Sequence, residues 1–188
     1  MVSEATREYI AANYSGTPFI STACPSVVRL IRVKFPNLIS NLLPLKPPIE
    51  VDFDKLKSVN EDVVGWIYVD ALPDISYPIV GIFFISPCPS KVTYVKSPLG
   101  TDRSEVDRVL AIKDVYPQLI SYMQTVDPKA PDMSESGKIG VGWGRRSGEA
   151  GGLFTESYLA ADGIENVIRV LEDMEDQKFS NLKFVELN

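Results

Sequence analysis

The sequence predicts an α/β domain, with a mostly parallel sheet flanked by helices. Three observations carry this expectation. Short apolar runs rich in β-branched and aromatic residues alternate with segments of helical period. Hydrophobic residues make up 45% of the chain and charged residues 23%, which is enough for a core and too few charges for disorder. The length, 188 residues, suits one compact domain or two small lobes. In parallel sheets, ligands gather beyond the carboxyl ends of the strands, so the residues that follow each strand matter most.

Residues Ser3 to Tyr14 read as a helix, with Ser3 as N-cap ahead of Glu4. Pro18 to Thr22 reads as a short buried strand, and Cys24-Pro25 follows at once. Pro25 suits the first position of a helix, where its missing N–H costs nothing. Val27, Val28, Leu30 and Ile31 form the buried side of that helix. Pro36 to Leu43 reads as a second helix, before Pro44, Pro47 and Pro48 break the chain. Val51 to Ser58 reads as a helix with Phe53 and Leu56 inward, and Val63 to Val69 as a strand. Ile79 to Ser86 is a strongly apolar strand ending at Pro87-Cys88-Pro89. Arg108 to Ile112 reads as a strand, and Asp114 to Gln124 as a helix with Pro117 in its first turn. Lys138 to Gly142 reads as a strand and Arg145 to Gly152 as a glycine-rich loop. Gly163 to Gln177 is the clearest helix, because Ile164, Val167, Ile168, Leu171 and Met174 recur along one face. Leu182 to Leu187 closes the pattern as a strand.

Composition removes several classes of function. A net charge of −6, with no basic cluster beyond Arg145-Arg146, argues against nucleic acid, whose phosphates need a basic footprint. The N-terminus, Met1 to Glu8, has no apolar stretch of the signal-peptide kind. The longest apolar stretch, Ile79 to Ile85, is far too short to span a bilayer. A cytoplasmic protein without membrane or nucleic-acid partners is the expectation. Histidine is absent, which excludes Ser-His-Asp and Cys-His chemistry and any His-containing zinc site. The acidic groups Asp52, Asp54, Glu61 and Asp62 read as a solvated face. Glu172, Asp173, Glu175 and Asp176 read as either a solvated helix end or a partner surface.

The two cysteines, Cys24 and Cys88, are no disulfide framework. Each lies just past a predicted strand, which places both thiols on the same sheet edge. Two readings stand: buried apolar thiols, or ligands. The surrounding segments decide what they resemble. These are Thr17-Pro-Phe-Ile-Ser-Thr-Ala-Cys-Pro25, Pro36-Asn-Leu-Ile-Ser-Asn-Leu-Leu-Pro44, Ile85-Ser-Pro-Cys-Pro-Ser-Lys91, Val109-Leu-Ala-Ile-Lys-Asp114 and Phe184-Val-Glu-Leu-Asn188. With them, residues 17–46 and 81–188 resemble the large-subunit catalytic domain of iron-only hydrogenases.

The resemblance implies that Cys24 and Cys88 are two thiolate ligands of a [4Fe–4S] cluster. It also implies that Lys91 contacts the diiron subsite, with Ser86 and Pro87 lining the cofactor. The chemistry agrees, since such a cluster takes four thiolates and a lysine donates to anionic ligands. For Lys91 a solvated surface charge is the other reading. The run from Gly140 to Gly152 reads as backbone passing close to the cluster site, or as an anion cradle.

Three departures from the family pattern stand out. Catalytic members carry a proton-transferring cysteine where this chain has Ala23, a methionine where it has Ser86, and a glutamate where it has Tyr94. Alanine relays no proton, and tyrosine titrates at about 10. Ala23, Ser147-Gly-Glu-Ala-Gly-Gly152 and Tyr158-Leu-Ala-Ala-Asp-Gly163 resemble the sensory branch of the family. Its members are held to detect hydrogen or redox state and to signal to attached modules. The family's last two cluster cysteines fall beyond the position of Asn188. By itself the chain is therefore expected to hold no metal, a zinc ion shared between two molecules, or a labile bridging cluster.

One stretch breaks the pattern. Phe53 to Tyr68, with Ile75-Ser-Tyr-Pro-Ile-Val80, resembles the N-terminal region of class B sortases. Residues 51–80 thus read as a discordant insert in a single domain of residues 1–188, with an extra β segment at 63–80. The likeness arises either by chance or from a recombined or designed chain. Without histidine, sortase chemistry is excluded.

The resulting expectation is a non-catalytic, sensory-type, cluster-binding module, incomplete as a cluster site, with a redox partner or an attached signalling domain. A metal-free structural or interaction module and a fragment of a hydrogen-oxidising hydrogenase are the alternatives.

Overall fold

The computed structural model describes residues 2–51, 82–126 and 138–188. In chain order the first elements are α1 (Val2–Asn13), β1 (Phe19–Ile20), α2 (Pro25–Lys34), a 3-10 helix (Pro36–Asn41) and α3 (Pro48–Val51). Next come β2 (Phe83–Ser86), α4 (Pro89–Lys96), β3 (Arg108–Ala111) and α5 (Ile112–Met123). The last are α6 (Lys138–Trp143), α7 (Gly148–Gly151), β4 (Tyr158–Ala161), α8 (Ile164–Glu175) and β5 (Phe184–Leu187). They divide into two compact units, Met1–Pro47 with Met133–Asn188, and Pro48–Asp132. Every described strand pairing is parallel, so the fold class is the expected one.

The first unit is built around β5. The sheet order is β1-β5-β4, so β5 has a partner on each side. Phe19 pairs with Phe184 and Ile20 with Val185, while Tyr158 through Ala161 pair with Phe184 through Leu187. Side chains alternate across a strand, and β5 is buried on both faces. Val185 and Leu187 join Ile20, Val27, Ile31, Val167 and Leu171 in one core. Phe184 joins Ile10, Leu43, Ala150 and Leu153 in another. Helices α2 and α8 supply the first core, and α1 and α7 serve the second.

The α2 start is as the sequence predicts, with Cys24 as N-cap and Pro25 in the first turn. In α8, Val167, Leu171 and Met174 are buried as expected, but Ile164 at the helix start is 62% exposed. The α8 end is a Schellman motif in which Gln177 takes the left-handed position, at φ 57°. Its N–H bonds the Met174 carbonyl, and the Lys178 N–H bonds that of Asp173. The Lys178 ammonium then bridges Asp173 and Asp176, so these two acids are paired with a lysine at the helix end.

The second unit pairs β2 with β3, from Phe83 opposite Arg108 to Ser86 opposite Ala111. Ile49, Tyr94 and Val106 form its core, with Ile82, Phe84, Val95 and Leu99 packed around them. Glu50 is buried and accepts from Ser104 Oγ at 2.5 Å and from the Glu105 N–H at 3.0 Å. None of α5 is buried, and Tyr122 on it is 71% exposed.

Several expectations are corrected. The described strands form two sheets, so Cys24 and Cys88 follow strands of different sheets, not one edge. Lys138 to Gly142 is helical, not a strand. Ile139, Val141 and Trp143 alternate as in a strand, but Ile139 and Trp143 also fall at i and i+4 of a helix, so the period is ambiguous. The predicted glycine loop contains α7, a single helical turn. Gly148 lies so close to α6 that an added Cβ would sit 2.3 Å from the Gly142 carbonyl oxygen, which is why a glycine stands there.

Helix α5 starts at Ile112, directly after β3, so Pro117 falls inside it rather than in its first turn. The segment after Pro36 is a 3-10 helix ending at Asn41. Ser3 lies within α1, which begins at Val2. Strand β4 and helix α4 were not anticipated. The expected helix over 51–58, the strand over 63–69, the sortase-like stretch and Asp52, Asp54, Glu61 and Asp62 lie outside the described residues. Among the described residues, no helix is long and apolar enough to cross a membrane.

Candidate functional site

Each cysteine sits on the same local device: a parallel strand, a serine at or just past its end, a turn, then a cysteine capping a helix that opens on proline. In the first unit, the Ser21 N–H still bonds the Val185 carbonyl, so the backbone is fixed up to that point. Ser21 Oγ accepts from the Ala23 N–H at 3.1 Å and donates to Glu149 Oε2 at 2.5 Å. Thr22 Oγ1 donates to the Leu45 carbonyl. Cys24 has extended backbone, and its carbonyl accepts from the Val28 N–H, the first bond of α2. Its half-buried thiol packs on the core below.

Behind this turn lies a buried acidic pair. Glu149 and Glu186 are both buried. Glu186 accepts from the Ala150 N–H at 2.8 Å and from the Asn188 side-chain amide at 3.0 Å. Burial raises the Glu186 carboxyl above its usual range. The hydrogen bonds from Ala150, Asn188 and Glu149 oppose this, the Asp162 charge adds to it, and the net shift is upward.

In the second unit, Ser86 is buried and its Oγ accepts from the Cys88 N–H at 3.1 Å. The Cys88 carbonyl accepts from the Lys91 N–H, opening α4. Cys88 Sγ lies 2.9 Å from Ser90 Oγ. Burial raises this thiol, but contacts with the side chain and backbone of Ser90, the Lys91 backbone and the Lys91 charge outweigh it. The net shift is below the ordinary thiol value. A depressed thiol favours the thiolate, which is the nucleophile and metal-binding form.

Tyr94, on α4, is only 2% exposed, and burial with the nearby Glu50 charge pushes its phenol up to about 12. Its Oη has no hydrogen-bond partner among the described residues.

Of the residues the sequence singled out, Ser86, Pro87, Cys88 and Lys91 share one turn, while Cys24 belongs to the other unit. Ser86 is turned inward as a backbone clamp, and Pro87 is exposed. Sequence reasoning missed Ser21, Glu149, Ser90 and Glu186. A serine two or three residues ahead of Cys-Pro was a usable signal in both motifs. Nothing local marked Glu149, which is 128 residues from Ser21. Among the described residues, no group of three or more His, Cys, Asp or Glu is placed to hold a metal ion.

No curated protein sequence matches the chain. One similar solved structure is described as "[FeFe]-hydrogenase Oxygen Inactivation is Initiated by the Modification and Degradation of the H cluster 2Fe Subcluster". The identity is 14% and the TM-score 0.47, with 97% of this chain covered and 61% of that one, so this chain spans about three fifths of its length. The family model described as "Iron only hydrogenase large subunit, C-terminal domain" matches residues 1–159, a span that runs through 51–80. The chain belongs to the family of the C-terminal domain of the iron-only hydrogenase large subunit.

Proposed function

We propose that this chain is a non-catalytic, sensory-type module of its family, with Cys24 and Cys88 as thiolate ligands to an iron–sulfur cluster. Tyr94 carries the non-catalytic reading. It stands where catalytic relatives have a glutamate, it is buried in an apolar core, and a phenol at about 12 holds its proton throughout the neutral range. Ala23, ahead of the first ligand, offers no titratable group either. The ligand reading is supported by the shared device that presents both thiols as N-cap residues past a strand end.

The residues present fit only part of a cluster site. A [4Fe–4S] cluster takes four thiolates, and these 188 residues hold two cysteines and no histidine. The other ligands must come from outside them. Lys91, beside Cys88, suits an anionic neighbour. A redox partner or attached signalling domain, and a cytoplasmic location, belong to the same proposal. So does an inserted segment at 51–80, on its likeness to class B sortases.

Anaerobic incubation with iron, sulfide and a small thiol, followed by iron and sulfide analysis and an optical spectrum, tests the reading. Iron retention should fall in both Cys24→Ser and Cys88→Ser. Retention indifferent to both substitutions overturns the ligand assignment, and hydrogen turnover by the loaded protein overturns the non-catalytic one. No retention at all selects a metal-free structural module, in which Cys24 is a small apolar residue packed on the core.

A further inference from the structure

Glu149 is placed to do more than fill α7. The sheet ladder fixes the backbone up to Ser21, and α2 fixes it from Cys24 onward. Between them the turn is held by side chains. Ser21 Oγ takes the Ala23 N–H, immediately ahead of the cysteine, and is itself held by the buried Glu149 carboxyl at 2.5 Å. Glu149 is in turn braced from behind. The Ala150 N–H is tied to Glu186, Ser147 starts α7 in the left-handed conformation, and Gly148 is pressed against the end of α6.

We infer that Glu149 is a positioning residue for Cys24. Through Ser21 it holds the turn that aims the sulfur, and so sets how readily Cys24 meets a metal or an electrophile. This inference rests on the reading of Cys24 as a ligand, but its test does not need the metal.

The test uses the full chain in two backgrounds, Cys88→Ser to isolate Cys24 and Cys24→Ser to isolate Cys88. It measures the rate of alkylation by iodoacetamide alongside thermal melting. Loss of a buried hydrogen bond should populate an open turn, so Ser21→Ala and Glu149→Ala should each speed Cys24 alkylation about tenfold. The Cys88 rate should not move. Glu149→Gln, which keeps an acceptor oxygen, should restore a rate near that of the parent chain. An unchanged Cys24 rate in Ser21→Ala, or a parallel rise at both cysteines, overturns the inference and leaves Glu149 as a general staple. If Glu149→Ala does not fold, Ser21→Ala and Glu149→Gln decide. A failed ligand reading appears as absent iron retention with the alkylation contrast intact. A failed positioning role appears as unchanged rates with iron retained.

Discussion

The Cys24 and Cys88 turns share a plan and differ in what fixes them. Around Cys88 the restraints are local: Ser86, Ser90 and Lys91 lie within three residues of the thiol. Around Cys24 the chain of restraint runs through Ser21 to Glu149, which is 128 residues from it. The register differs too, since Ser86 clamps the cysteine's own N–H and Ser21 clamps that of the residue before. One thiol is thus tuned by its own sequence neighbourhood, and the other depends on α7 docking correctly. A change at Ser90 should therefore be felt at Cys88, and a change in the seating of α7 at Cys24.

The harshest test of this contrast is Gly148→Ala. A Cβ there meets carbonyl oxygens at 2.3 and 2.4 Å, so backbone must move. The cost should be about 2–3 kcal/mol by denaturant titration, within the range for overpacking. Cys24 should become more reactive while Cys88 does not, and equal effects at both would break the comparison. Tyr94→Phe addresses the other unit. It removes a buried hydroxyl that has no partner among the described residues, and should stabilise the protein by about 1 kcal/mol. A measured loss of stability would mean that the hydroxyl is satisfied after all.

Ser90→Ala should shift only the pH profile of Cys88. The native thiol titrates below its ordinary value of 9.0, so its alkylation rate should reach its plateau at lower pH than that of a denatured chain. The substitution should move that midpoint upward, and an unmoved midpoint would count against local tuning. Glu186→Gln has the smallest expected effect. The folded state holds the Glu186 proton more tightly than the unfolded state does. Its contribution is therefore complete below about 4.5 and is lost as pH rises through the higher folded value. Melting temperature against pH should be flatter in the variant over that window.

What could be read from the sequence was what is local. An apolar strand, a cysteine and a proline at the first helical position announced the Cys24 turn by themselves, whereas at Cys88 the strand and the cysteine were legible and the helix after them was not. The α8 face was legible because Val167, Leu171 and Met174 repeat with the helical period. Strand β4 was missed because Tyr158-Leu-Ala-Ala161 has no β-branched residue and owes its conformation to pairing with β5. The split into two sheets was hidden for a related reason. Alternation marks strands but does not say which strands pair. Glu149 and Glu186 were invisible as a pair because tertiary packing, not spacing, brings α7 onto β5.

The central place of β5 has a consequence for how the protein is made. β5 is the described sheet partner of both β1 and β4, and it is synthesised long after β1. The three-stranded sheet therefore cannot close until its middle strand has left the ribosome, and such long-range pairing is slow to form. The unit Pro48–Asp132 is synthesised in the interval. The strands that carry the Cys88 turn, β2 and β3, are thus both synthesised before β5, on which the Cys24 turn depends.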